Sequence, residues 1–86
     1  MPLNDRDRAL LDFESRHPRH DAVKEEAVRT ELAMTPARYY QLLGRVIDTA
    51  DAAAYDALLV HRLRRLRDAR ERERAARAAI PTAAAR

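Results

Sequence analysis

Arg38, Gln41 and Arg45 recur at spacings of three and four residues within TPARYYQLLGR, residues 35–45. At 100° per residue, this spacing places the three side chains on the same side of a helix. A guanidinium offers paired N–H donors to phosphate or guanine, and a carboxamide can bond adenine in a similar bidentate way. The segment therefore presents groups suited to a polyanion or to base edges, although a solvated helix face would also carry them.

A capped helix is predicted to hold these side chains over residues 36–48. Thr35 is a suitable N-cap, and proline at the first helical position removes no donor that the helix needs. The buried side is predicted to contain Tyr39 and the apolar residues that follow it at helical spacing. These are Leu42, Leu43, Val46 and Ile47.

The opposite side of this helix includes Ala37 and Gly44, with Tyr40 on its flank. The Tyr40 hydroxyl could reach a phosphate while its ring covers a sugar or a thymine methyl. Alternatively, the ring covers the rim of the core. Gly44 costs a helix up to about 1 kcal/mol relative to alanine. Close approach of a DNA backbone would explain that cost, as would a close helix contact.

A second helix is predicted just before this one. Asp21 is its N-cap, and Ala33 and Met34 form a short break after it. Its apolar positions are Val23, Ala27, Val28 and Leu32. Two helices joined by a short turn, with a polar outer face on the second, are typical of a helix-turn-helix. Ala33 occupies a position where such turns commonly have glycine.

The rest of the chain completes a small all-α fold. Asn4 or Asp5 is expected to cap a first helix that ends near Arg16, and residues 49–54 form an alanine-rich connection or helical turn. No alternating strand pattern occurs, and 86 residues fit one domain. We therefore predict a helix-turn-helix bundle of four to five helices, forming a single domain over residues 1–80.

A long arginine-rich helix over about residues 57–78 is predicted to follow an Asp56 cap. Its apolar stripe is Leu58, Leu59, Leu63, Leu66 and Ala69. The last three leucines of this stripe either pack inward or form a dimer seam, so the oligomeric state stays open. After Arg67 the sequence is charged nearly all round, and this half is predicted to project. Ile80-Pro81 is expected to end the helix and to leave residues 81–86 as a disordered tail.

Charge is divided unevenly along the chain. Residues 1–60 hold eight basic and eleven acidic side chains, a net charge of −3, whereas residues 61–86 hold nine arginines and three acids, a net charge of +6. The start of the last helix carries Arg62, Arg64, Arg65 and Arg67. Each phosphate neutralised would add about one unit to the salt dependence of binding. An acidic protein surface is the alternative partner, and simple solubility is a third explanation.

The segments AVKEEAVRTELAMTPARYYQLLGRVID, residues 22–48, and LLVHRLRRLRDARERERAAR, residues 58–77, carry a family resemblance. The chain resembles a small actinobacterial helix-turn-helix family of unknown function, distantly similar to sigma-factor region-four domains. The resemblance implies a compact DNA-binding type of domain in which the helix with Arg38, Tyr40 and Gln41 reads DNA. It also implies that the arginine run is a family feature.

The sequence has few of the residue patterns that catalysis or metal binding would require. The chain has one serine, Ser15, no cysteine and no glycine-rich loop. His17, His20 and Asp21 lie close in sequence, but no further ligand is in view. We predict no enzyme activity, no cofactor and no metal. No apolar run approaches the roughly 20 residues that span a bilayer, and the N-terminus is acidic, so a cytoplasmic protein without membrane contact is expected.

Together these features predict sequence-specific binding of double-stranded DNA by a transcription regulator. The predicted DNA-binding residues are Thr35, Ala37, Arg38, Tyr40, Gln41, Gly44, Arg45, Arg62, Arg64, Arg65 and Arg67. The alternative is a protein-interaction module, which would dock on RNA polymerase or another acidic partner through the arginine-rich helix.

Overall fold

Five helices make up the part of the chain that the computed structural model describes, which is residues 2–84, with side chains through residue 79. They are α1 Asp5–Arg16, α2 Ala22–Leu32, α3 Pro36–Val46, α4 Ala50–Tyr55 and α5 Ala57–Ala84. No strand occurs among these residues, and α5 is much the longest helix. The predicted all-α fold with a long last helix is therefore confirmed.

Side-chain caps begin all five helices. Asn4, Asp21, Thr35, Thr49 and Asp56 each accept a hydrogen bond from the backbone N–H three residues later, at 2.8–3.2 Å. Each cap satisfies a donor that the helix leaves unpaired and contributes about 1 kcal/mol. The helix starts are thus dictated by local chemistry, which is why the sequence predicted most of them.

Ala33 ends α2 in the left-handed backbone conformation, with φ 54° and ψ 43°. Glycine is the usual residue in this conformation because a Cβ atom makes it unfavourable. The turn lets α3 fold back onto α2, with which it is in contact. The predicted pair of helices is therefore formed, and alanine carries the strained position of its turn.

We expect Ala33→Gly to raise the free energy of unfolding by about 1 kcal/mol, because glycine adopts a positive φ without the steric penalty. Urea denaturation followed by circular dichroism would measure the change. Ala69→Gly, on the exposed side of α5, is the matched control and is expected to lower stability by a similar amount. A loss of stability in both variants would contradict the assigned backbone strain.

The core lies where α1, α3 and the first turns of α5 meet. Its buried apolar residues are Leu10, Leu11, Phe13, Val28, Tyr39, Leu42, Leu43, Val46, Ile47, Ala52, Leu59, Val60 and Leu63. All five residues predicted for the buried side of the third helix are among them. The prediction for the buried side of α3 is therefore confirmed. Because that side packs in the core, the other side of α3 faces solvent.

In α2 the buried side differs from the predicted stripe. Val23 is 72% exposed, whereas Lys24 is buried beside Val28. The cause is Glu14 of α1, whose carboxylate is also buried and lies 2.8 Å from the Lys24 ammonium. Because a buried carboxylate requires a compensating charge, α2 is rotated so that its lysine, and not its first valine, points inward.

A similar correction applies to the first turns of α5. Leu59, Val60 and Leu63 are buried, and Leu58 is 86% exposed. At 100° per residue, Leu58 lies about 150° around the helix from the centre of that buried group. Leu59 and Leu63 therefore pack inward on their own domain, and they do not form a dimer seam. Leu66 is half-exposed at the edge of the same packing surface.

The second half of α5 projects from the domain, as predicted. All side chains from 68 to 79 are exposed. The helix extends to Ala84 and so passes Ile80-Pro81, where the sequence predicted its end. Residues 81–84 of the predicted disordered tail therefore continue α5, and residues 85–86 lie outside the described residues. Within the described chain, no helix is long and apolar enough to cross a membrane.

Candidate nucleic-acid interface

One side of α3 remains open to solvent after the fold has formed. Ala37, Arg38, Gln41 and Arg45 are all exposed, and we call these four residues the α3 outer face. Nη1 of Arg38 donates a hydrogen bond to Oε1 of Gln41 at 2.8 Å. Neither α2 nor the long α5 covers this surface, so its guanidinium and carboxamide groups are accessible to a partner.

The N-terminal end of α3, which Thr35 caps, adds positive electrostatic potential to this surface. Oγ1 of Thr35 accepts the backbone N–H of Arg38 at 3.1 Å, so this residue acts as the helix cap. No acidic residue lies in the first turn of α3. The positive end of the helix dipole is therefore not compensated within its own first turn, which favours an anion there.

Tyr40 lies on the rim of the core and is not part of the α3 outer face. Its hydroxyl is 2.8 Å from Nδ1 of His20, and its ring packs edge-on against Tyr39 at 5.0 Å between centroids. The Lys24 ammonium lies 5.6 Å from the centre of the ring. Burial and the nearby Glu14 carboxylate raise the pKa of Tyr40. The hydroxyl thus stays protonated, and it already has a partner within the protein.

His20 completes the contact that holds the Tyr40 ring. Its imidazole lies 5.5 Å from the tyrosine ring, between centroids. Burial lowers the pKa of His20, and the charge of Lys24 lowers it further. The neutral imidazole is therefore favoured at this position, where Nδ1 can accept a hydrogen bond from the Tyr40 hydroxyl.

Gly44 lies at the edge of the α3 outer face, about 20° around the helix from Ala37. It is half-buried on the side of α3 that faces α5. A Cβ atom built at this glycine would meet no atom within 4 Å. A close helix contact therefore does not explain the glycine, and the space beside it is open.

Gly44→Ala is expected to raise the free energy of unfolding by up to about 1 kcal/mol, because alanine has the higher helix propensity and its methyl group meets no obstacle. Thermal and urea denaturation would measure the gain. The DNA affinity proposed below should change little, since the substitution removes none of the four side chains of the α3 outer face. A clear loss of stability would show that the space beside Gly44 is not available.

Arg64 holds the C-terminal end of α3. Its Nε donates a hydrogen bond to the carbonyl oxygen of Ile47 at 2.5 Å, and its Nη2 donates to that of Thr49 at 3.4 Å. Carbonyl groups at the end of a helix lack partners within the helix, and a guanidinium can supply them. The structure therefore gives this predicted DNA contact an internal role, which is to fix α5 against the end of α3.

Arg67 makes a second contact between the same two segments. Its Nη1 lies 2.8 Å and 2.9 Å from the two carboxylate oxygens of Asp48, and its Nε lies 3.3 Å from Asp68. The hydrogen bond with Asp48 raises the pKa of Arg67. Two carboxylates thus compensate this guanidinium, which leaves little charge for an external phosphate.

Arg62 and Arg65 are exposed on the other side of α5. At 100° per residue they lie about 140° and 160° around the helix from Arg67, which faces the end of α3. They share their side of the helix with the exposed Leu58. We call Leu58, Arg62 and Arg65 the α5 outer face. The structure does not bring it together with the α3 outer face.

A buried polar cluster beneath α3 was not predicted from the sequence. The Lys24 ammonium lies 2.8 Å from Oε2 of Glu14, and both side chains are 1% exposed. The Tyr39 hydroxyl donates to Oε1 of the same carboxylate at 2.6 Å. Burial, with that hydrogen bond, raises the pKa of Tyr39 well above its usual range. The cluster joins α1, α2 and α3, and so orients the α3 outer face.

One signal in the sequence could have indicated this cluster. Lys24 is the only lysine in a chain whose other basic side chains are sixteen arginines. A lysine ammonium is a compact point charge that fits a single buried carboxylate, whereas a guanidinium requires more space and more acceptors.

In the described residues, no group of three potential ligands could hold a metal ion.

Comparison with known proteins identifies a family. A family model described as a protein of unknown function (DUF3263) matches residues 2–75, and the chain belongs to this family. The matched range includes the α3 outer face, the buried cluster and both arginine contacts between α5 and the end of α3. No curated protein and no solved structure matches the chain.

Proposed function

We propose that the protein binds double-stranded DNA in a sequence-dependent way through the α3 outer face, and that it regulates transcription. The observation that supports this proposal is the exposure of Arg38, Gln41 and Arg45 together on one side of a capped helix. Such a helix can enter a major groove, where these side chain types pair with base edges. We also infer a distant relation to sigma-factor region-four domains, which would imply the same role.

Each member of the face has a specific part in this proposal. Gln41 pairs with adenine through its carboxamide, and Arg38 pairs with guanine once its hydrogen bond to Gln41 is exchanged for the base. Ala37 offers its methyl group to thymine. Arg45 lies about two and a half turns from the start of α3 and contacts a phosphate, which sets the depth of the helix in the groove.

Fluorescence anisotropy with duplex DNA across a salt series tests the proposal. Arg45→Ala is expected to weaken binding to all duplexes about equally. It should also reduce the slope of log affinity against log salt by about one unit, as for the loss of one phosphate contact. Arg72→Ala is the matched control, because this arginine is exposed on the projecting half of α5. Equal effects of the two substitutions would point to non-specific attraction and against a role for the α3 outer face.

Sequence preference is the second readout. Duplexes that the natural protein selects from a random library would be compared with the duplexes that the Gln41→Ala variant selects from the same library. We expect the substitution to lose about 1–3 kcal/mol of discrimination at one base pair, with little change in affinity for random DNA. An unchanged preference would remove Gln41 from the proposed reading surface.

A second candidate function is the binding of an acidic protein, such as RNA polymerase, through the α5 outer face. It is favoured by Leu58, which is 86% exposed beside Arg62 and Arg65. An apolar side chain flanked by two arginines is typical of a binding surface for a protein. Under this alternative, replacing both arginines with alanine would abolish capture of the partner and leave DNA affinity unchanged.

A further inference from the structure

A cavity of about 120 Å³ lies between α3 and α5. Its apolar wall is formed by Leu43 of α3, by Ile47 just after α3, and by Leu63 and the half-exposed Leu66 of α5. Gly44 completes the wall. A dry apolar cavity of about 150 Å³ holds a benzene molecule in another protein, so this space is close to the size of one aromatic ring.

The residue choice at Gly44 leaves this space open. It is the only glycine of the chain, and it lies inside a helix, where alanine would be more stable. A Cβ atom at this position would meet nothing within 4 Å. Alanine would therefore stabilise the helix here without a clash, and the glycine preserves room that the fold itself does not use.

The polar groups around the cavity favour an anionic substituent on its occupant. Arg70 lines the cavity and makes no hydrogen bond or ion pair with any residue that the structure describes. The charge of Arg67, on the same wall, is already matched by Asp48. Glu14 is the one acid in the lining, and the buried Lys24 ammonium compensates it.

The mouth of the cavity is formed by His20, Tyr40 and Arg70, which also line an adjoining surface depression. Asp21 and Glu25 line only that outer depression and not the cavity. An anionic group held inside the mouth would therefore meet the guanidinium of Arg70 before it meets these two carboxylates.

We propose that this cavity binds a small aromatic carboxylate, with its ring against Leu43, Gly44 and Leu66 and its carboxylate on Arg70. The site has apolar walls and a few convergent polar groups, as small-molecule sites usually do. The ring would contact the side of α3 that faces α5, which adjoins the α3 outer face at Gly44. This inference does not depend on the proposed DNA binding, and its test contains no DNA.

Benzoate is the probe, and benzyl alcohol is its uncharged counterpart of similar size. Two-dimensional ¹H–¹⁵N NMR of the full chain offers a direct reporter, because Gly44 gives the only glycine amide signal. We expect benzoate to shift this signal in a saturable way, with a dissociation constant on the order of 1 mM for so small a ligand. Benzyl alcohol is expected to bind at least about fivefold more weakly, since it lacks the charge-assisted contact.

Two variants test the location of the site. Arg70→Gln is expected to weaken the binding of benzoate at least about fivefold. Arg72→Gln, which removes an arginine on the other side of α5, should leave benzoate binding unchanged. Gly44→Leu fills the space and should abolish the shifts at Leu43 and Ile47 while the helix content is retained. The proposal is overturned if benzoate gives no saturable shift at Gly44, if benzyl alcohol binds as well, or if a folded Gly44→Leu still binds benzoate.

Discussion

Lys24→Met is expected to lower the free energy of unfolding by about 3–5 kcal/mol, because it leaves a buried carboxylate without its counter-charge. Glu14 is 1% exposed and cannot turn to water without disrupting the packing of α1. Small domains have only about 5–15 kcal/mol of total stability, so this one substitution removes a large share. Urea denaturation followed by circular dichroism would measure the loss.

The matched control for Lys24→Met is the double variant Glu14→Gln with Lys24→Met. It removes both charges and keeps an acceptor for the hydroxyl of Tyr39, which now bonds the carboxylate. Replacing a whole buried ion pair is often close to neutral, so the double variant should recover most of the stability. If it were as unstable as the single variant, lost packing and not the uncompensated charge would explain the effect. The double variant remains informative even where Lys24→Met alone fails to fold.

Arg64→Ala is expected to lower the free energy of unfolding by about 2–3 kcal/mol, in the range of hydrogen bonds that involve a charged group. The substitution leaves the carbonyl groups of Ile47 and Thr49 without the guanidinium that now bonds them. It also frees the end of α3 from α5. Arg64→Lys should recover only part of the loss, because an ammonium cannot reproduce the planar pair of donors.

Arg65→Ala is the control for Arg64→Ala. The two arginines are adjacent in sequence, yet Arg65 is exposed and lies on the α5 outer face. Its removal should change stability by no more than about 0.5 kcal/mol. Thermal denaturation of both variants under the same conditions would compare them. Similar losses would contradict the internal role assigned to Arg64.

The features that the sequence predicted depend on neighbours along the chain. The caps at Asp21, Thr35 and Asp56 each use a backbone N–H three residues away. The buried side of α3 follows from helical spacing alone, and Tyr39 lies at its centre. Local hydrogen bonding and periodicity involve only residues a few positions apart, so they are visible in a single sequence.

The features that the sequence did not predict depend on partners far along the chain. Lys24 is buried because it meets Glu14 ten positions earlier, and Val23 is exposed as a consequence. Arg64 is an internal cap because Ile47, seventeen positions away, lies beside it. A pattern that treats every charged side chain as external cannot identify such pairs. For the same reason, the sequence predicts DNA contacts for Arg62, Arg64, Arg65 and Arg67 alike, although Arg64 and Arg67 already bond groups within the protein.

Chemical-shift mapping by ¹H–¹⁵N NMR, with a short duplex at low salt, tests the central claim most directly. If the α3 outer face binds DNA, the largest shifts should be at the amides of Ala37, Arg38, Gln41 and Arg45, and they should weaken as salt is added. Shifts confined to the α5 outer face, or no shifts at low salt, would contradict the claim that α3 is the DNA-binding helix.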